Sequence, residues 1–143
     1  MAIANLHETL LMYTLQRNEL NLKLTSLSTT KSLALAQVSD LNSEKSARTA
    51  ELREYFKALY DGDPELQAQY AKYTEMEDFE AEMDKIAALY QEQLDELTAW
   101  ETQIDADITV TDANLKEVEA YMESFKEMLN RNISDDFKFG TGG

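Results

Sequence analysis

Tyr60-Asp61-Gly62-Asp63-Pro64-Glu65 is the stretch whose reading decides the fold. Gly62 suits the left-handed conformation that ends many helices. Asp63 is a good N-cap, and Pro64 fits the first helical position, where no backbone N–H is required. Glu65 then sits at the positive end of the new helix dipole. The order predicts a helix that stops, a turn at 61–63, and a second helix that starts at 64.

Upstream, one row of positions runs 6, 10, 13, 17, 20, 24, 27, 31, 34, 38, 41, 45, 48, 52, 55, 59, in alternating steps of four and three. Twelve of these sixteen residues are apolar. Downstream the row resumes at 73, 76, 80, 83, 87, 90, 94, 97, 101, 104, 108, 111, 115, 118, 122, 125, 129, and fourteen of seventeen are apolar. A sustained 3.5-residue period is the mark of a coiled coil. The expected fold is therefore all-α: a long antiparallel two-helix coiled-coil hairpin, helices about 3–60 and 64–131, each roughly 90–100 Å long at 1.5 Å per residue. The hairpin domain is 1–131, and 132–143 form a C-terminal tail. Three stretches weaken the helices: 25–32, rich in Ser and Thr; 39–44, with alternative caps; and the β-branched Ile108-Thr109-Val110-Thr111-Asp112. They are expected to bend or fray a continuous helix, with a folded-back bundle of shorter helices as the alternative.

Composition agrees by exclusion. Among 143 residues there are four glycines, one proline and no cysteine, and three of the glycines lie in the last four positions. Sheets need turn residues that this chain lacks, as do glycine-rich phosphate loops. Without Cys there are no disulfides, zinc knuckles or thiol nucleophiles. A formal net charge of −15 argues against binding a nucleic-acid backbone. No apolar run is long enough to span a bilayer, so no membrane insertion is expected. Residues 1–8 lack a basic segment and a long apolar segment, so no cleaved signal peptide is visible. The chain is expected to be soluble, either in the cytoplasm or exported by a route that reads no such signal.

Candidate chemistry is sparse, and no cofactor, metal or catalytic residue is assigned. Asp61-Gly62-Asp63-Pro64-Glu65 begins like a calcium loop but has Leu66 and Lys72 where glycine and a carboxylate are needed. The acidic run Glu75–Asp84 holds no histidine for a carboxylate-bridged metal pair. His7 stands alone.

Interaction residues are more plentiful. Arg17, Lys31 and Lys45 recur every fourteen residues within the first row. With a tight turn, facing residue numbers should total about 124, which places Lys45 near Glu80, Lys23 level with Glu101 and Arg17 level with Asp107. Arg17, Lys31, Lys45, Glu80 and Glu101 are thus candidate register-pinning charges. Phe79, Ile86 and Trp100 on one helix, and Leu15, Leu22, Ala36 and Ala50 on the other, form extra apolar rows beyond the seam. A third apolar position per heptad belongs to helices with more than one neighbour, so a homo-oligomer or a helical protein partner is expected. The tight turn would also leave 124–143 projecting. Its residues Phe125, Met128, Leu129, Ile133, Phe137 and Phe139 would either dock on a neighbouring subunit or fold back over Ile3, Leu6 and Leu10. Tyr55, Phe56, Tyr60, Tyr70, Tyr73 and Phe79 crowd the turn and are expected to plug the end of the seam.

The segment from Glu101 to Gly140, with Val118-Glu119-Ala120-Tyr121-Met122 and Asn130-Arg131-Asn132-Ile133-Ser134-Asp135-Asp136-Phe137-Lys138, resembles the C-terminal part of uncharacterised bacterial coiled-coil proteins over about 40 residues. In architecture alone the chain resembles the flagellar export-stalk family of type III secretion and the filament and needle subunits of bacterial secretion systems. No functional residue carries over from either. The expected function is non-enzymatic: a self-assembling structural subunit of a filament or oligomeric stalk. The alternative is a soluble adaptor or chaperone of a secretion or surface-assembly apparatus. Charge asymmetry bears on both. Residues 1–60 hold seven basic and six acidic residues, net +1, while 61–143 hold six and twenty-two, net −16. Unlike helices should therefore pair in preference to like ones.

Overall fold

Two unbroken apolar rows separated by one stop-and-start signal leave little choice of secondary structure. The computed structural model describes residues 3–142, with side chains through Asp135. Helix α1 runs Ile3–Asp61, α2 Pro64–Gln69 and α3 Glu77–Gly142, with a single 3₁₀ turn at Tyr73–Glu75 between α2 and α3. The chain is all-α, and no strand occurs among the described residues.

The Ser/Thr-rich stretch does not interrupt α1. Thr25, Thr29 and Thr30 donate their hydroxyls to the carbonyls of Asn21, Thr25 and Ser26 at 2.9–3.0 Å. Thr109 does the same to Asp105 at 3.0 Å within the β-branched stretch of α3. Each hydroxyl is satisfied four residues back, so it does not compete for the backbone as a cap would.

Packing divides the described chain into two units, one drawn from Met1–Lys31 with Gln103–Gly143 and the other Ser32–Thr102. In the first, the α1 and α3 segments run antiparallel. The ring of Tyr13 stacks on Tyr121 at 5.5 Å and meets Phe125 at 5.6 Å. Farther along α1, Lys31 Nζ lies 2.7 Å from an Asp105 carboxylate oxygen. Leu6, Ile104, Thr111, Leu115 and Val118 are its buried residues.

In the second unit α1 and α3 are likewise antiparallel, with Arg48 over the ring of Tyr90 at 5.6 Å and Phe56 edge-on to Phe79 at 5.5 Å. Phe56, Met76 and Phe79 form a buried cluster, with Leu52, Tyr60, Leu66, Tyr70, Tyr73 and Met83 packed around it. The aromatic plug expected at the turn is what the chain builds, apart from Tyr55, which stays exposed.

The turn departs from expectation in its length. Helix α2 starts at Pro64 as expected, and the Asp63 carboxylate accepts a 2.9 Å bond from the Glu65 N–H. It stops after six residues, and the long second helix begins at Glu77 rather than 64. Acidic Glu77, Asp78 and Glu80 fill its first turn, where the helix dipole favours negative charge. The break lets Leu66, Tyr70 and Tyr73 pack against the Phe56, Met76 and Phe79 cluster. Gly62 does not use a left-handed conformation: no described glycine has positive φ. Its N–H continues the helical pattern to Ala58 at 3.1 Å, and a Cβ there would lie 3.3 Å from that carbonyl oxygen. The Gln67 side-chain amide donates to the carbonyls of Tyr60 and Asp61 at the helix end, at 3.0 and 3.2 Å. The Tyr60 hydroxyl reaches the carbonyls of Tyr70 and Ala71, each at 2.9 Å.

Because the connection spans 62–76, the register differs from the tight-turn arithmetic. Facing positions within each unit total about 135 (13 with 121, 31 with 105, 56 with 79) rather than 124. Lys45 and Glu80 are therefore not level with one another in the second unit, nor Arg17 with Asp107 in the first. Helix α3 also continues past 131 to Gly142.

Candidate interaction surface

The inward row of α1 follows the expected positions from Leu6 to Lys45, all buried or half-buried. Toward the turn it moves on by one residue, to Thr49, Phe56 and Tyr60. A straight α-helix drifts by about 20° per heptad from a 3.5 repeat, and the compact turn cluster does not demand that repeat. On α3 the expected positions from Tyr90 to Leu129 are likewise inward, while nearer the turn Phe79 and Ile86 replace Glu80 and Ala87.

This shift moves two of the candidate interface residues toward the inward row. Phe79, expected on a neighbour-facing flank, is 5% exposed in the turn cluster, with Arg53 over its ring at 5.9 Å. Ile86 is half-buried on the inward row. Phe125, expected on a projecting tail, lies against Tyr13, and Leu129 is half-buried. Trp100, Met128 and Ile133 remain exposed, Ile133 by 50%. Phe137 and Phe139 lie outside the residues whose side chains are described. Among the register charges, Lys31 pairs with Asp105, Arg17, Lys45 and Glu101 are half-buried, and Glu80 is exposed.

Large apolar side chains are left exposed on both long helices. Leu11, Met12, Leu15, Leu22, Leu33 and Leu35 on α1 are all exposed, Leu22 by 72%. These six lie off the inward row that α3 covers. A helix that met only one partner would keep them on one face. On α3, Val110 and Tyr121 join Trp100 as exposed large side chains. Leu15 and Leu22 were legible from their heptad spacing. The exposure of Leu11 and Tyr121 was not, because it depends on which face α3 covers. Ala99, Ala106, Ala113 and Ala120, each exposed, recur every seventh residue. That spacing is readable from sequence but is hidden by the stronger seam.

Two open grooves flank the pairing. One, in the first unit, holds about 470 Å³ between Tyr13, Leu20, Lys23, Glu117, Val118 and Tyr121. Here the Tyr121 hydroxyl donates to Glu117 at 3.1 Å, and that bond raises its pKa above the ordinary tyrosine value. The other, in the second unit, holds about 440 Å³ and sets Leu41, Leu97 and Trp100 among Asp40, Glu44 and Glu96. Beside it, Glu44 pairs with Arg48 at 3.5 Å. Burial, followed by the nearby Glu44 carboxylate, pushes the Tyr90 hydroxyl above its ordinary value. No group of three or more His, Asp or Glu converges on a metal-sized point among the described residues, and no helix is long and apolar enough to cross a membrane. What the surface offers chemically is apolar area edged with carboxylates. Comparison with known protein families, curated proteins and solved structures finds no match to this chain.

Proposed function

We propose that the chain is a non-enzymatic structural protein, a long antiparallel two-helix coiled-coil hairpin that assembles with copies of itself into a filament or oligomeric stalk, as secretion and surface-assembly systems of bacteria use. The observation that carries this reading is the row of large apolar side chains on α1, Leu11, Leu15 and Leu22 among them, left in water by the chain's own packing. Isolated exposed leucines are ordinary on a protein surface, but an aligned series along a helix marks a contact. Sedimentation velocity across a range of protein concentrations, with negative-stain microscopy of the same samples, tests it. Mass should rise with concentration above that of one chain, with elongated particles. A single concentration-independent monomer would refute it.

The groove at Trp100 supports a second reading, an adaptor or chaperone. Its apolar floor and three carboxylates suit a basic amphipathic segment of another protein. A monomeric protein whose single tryptophan shifts its emission to the blue on adding a Lys/Leu-rich helical peptide would favour this reading over the first.

A further inference from the structure

We infer that a second copy docks side by side on the Met1–Lys31/Gln103–Gly143 unit, so that the outer row of α1 in one chain (Leu11, Leu15, Leu22) seats on the outer row of α3 in the next (Ala106, Ala113, Ala120). This rests on the self-assembly reading and names the two faces that meet. At about 100° per residue, Leu11, Leu15 and Leu22 lie half a turn from the inward row that carries Tyr13 and Leu20. Ala106, Ala113 and Ala120 lie half a turn from the inward row that carries Thr111 and Val118. The two outer rows therefore face away from each other in this unit, and all six residues are exposed.

Size and level match. Tyr13 against Tyr121 and Lys31 against Asp105 set the register of the unit. A neighbour displaced sideways without sliding keeps that register. Leu15 then stands level with the neighbour's Ala120, and Leu22 with its Ala113. Large residues facing small ones interdigitate, as close packing requires. Charge points the same way. Within Ile3–Lys31 there are three basic and two acidic residues, net +1; within Gln103–Asp135 there are three basic and eight acidic, net −5. Contact between two α3 faces would bring −5 against −5, at a cost that α1 on α3 avoids. Contact between two α1 faces would set leucine against leucine and leave the alanine row uncovered. An α1-on-α3 contact is heterologous, so every docked copy presents the same free face again, and the assembly grows as a ring or an open filament.

The natural absence of cysteine makes the test direct. Leu22→Cys and Ala113→Cys are made in separate full-length chains, each checked for helicity by circular dichroism, then mixed and either oxidised or treated with a short bis-maleimide. A disulfide needs Cα atoms within about 7 Å, so only facing positions join. The mixture should give a covalent dimer of one chain of each kind, several-fold above either variant alone, and a chain carrying both changes should give a ladder of multimers. Efficient linkage of Leu22→Cys to itself would overturn the inference in favour of an α1–α1 contact while leaving self-assembly standing. Sedimenting assemblies that never cross-link would also overturn it alone. Chains that sediment as monomers would overturn both this inference and the reading beneath it.

Discussion

Thr111 is buried, and its hydroxyl has no hydrogen-bond partner. An unsatisfied buried hydroxyl costs about 1–3 kcal/mol, and valine has nearly the same shape. Thr111→Val should therefore raise the thermal unfolding midpoint, by an amount corresponding to about 1 kcal/mol or more, while Thr111→Ser, which keeps the hydroxyl and loses a methyl, should lower it. Tyr90 presents a second buried hydroxyl. Its pKa is raised, first by burial and then by Glu44, from an ordinary value of 10.0. Tyr121 is raised by its bond to Glu117, and Lys116 by its bond to Asp112. The linkage has one sign for all three: as pH rises through the ordinary values, the unfolded chain loses these protons before the folded one. Stability is then full below about pH 10 and declines above it. Melting curves on the alkaline side should show this decline, and Tyr90→Phe should make it shallower.

At the scale of the element, the turn carries more order than its length suggests. Phe79→Ala would open a cavity against Phe56, Tyr73 and Met76 and should destabilise by about 3–5 kcal/mol, read by urea denaturation. Tyr60→Phe removes the hydroxyl shared by two carbonyls and should cost about 1 kcal/mol. The long rows were legible because heptad spacing reports directly on burial: from Leu6 to Lys45 and from Tyr90 to Leu129 the expected inward positions are the observed ones. The Asp63–Pro64 start was legible because capping chemistry is local. The stop at Tyr70 was not, since nothing in Gln69-Tyr70-Ala71-Lys72 forbids a helix. The break there lets Leu66, Tyr70 and Tyr73 pack against a cluster that includes Phe56, ten or more positions back in the chain. That tertiary cause lengthened the turn, moved the register and placed Phe79 and Ile86 inward. It also brought Phe125 level with Tyr13, which shortens the projecting part of α3 without removing it.

For the whole molecule, charge decides which surfaces tolerate each other. The net −15 comes wholly from 61–143, at −16, while 1–60 carries +1. Stacking copies through α1 on α3 pairs a nearly neutral surface with an acidic one, yet it still gathers acidic helices into one particle. The contact is apolar at its centre, and long-range repulsion opposes it at its edges. The Debye length falls from about 30 Å at 0.01 M salt to about 3 Å at 1 M, so salt should remove the repulsion and spare the apolar contact. Assembly measured by sedimentation should accordingly strengthen as sodium chloride rises over that range, and Leu22→Glu, which puts a carboxylate into the contact itself, should abolish it at every salt concentration. Dissociation with rising salt would instead mean that ion pairs, not the leucine and alanine rows, hold the copies together.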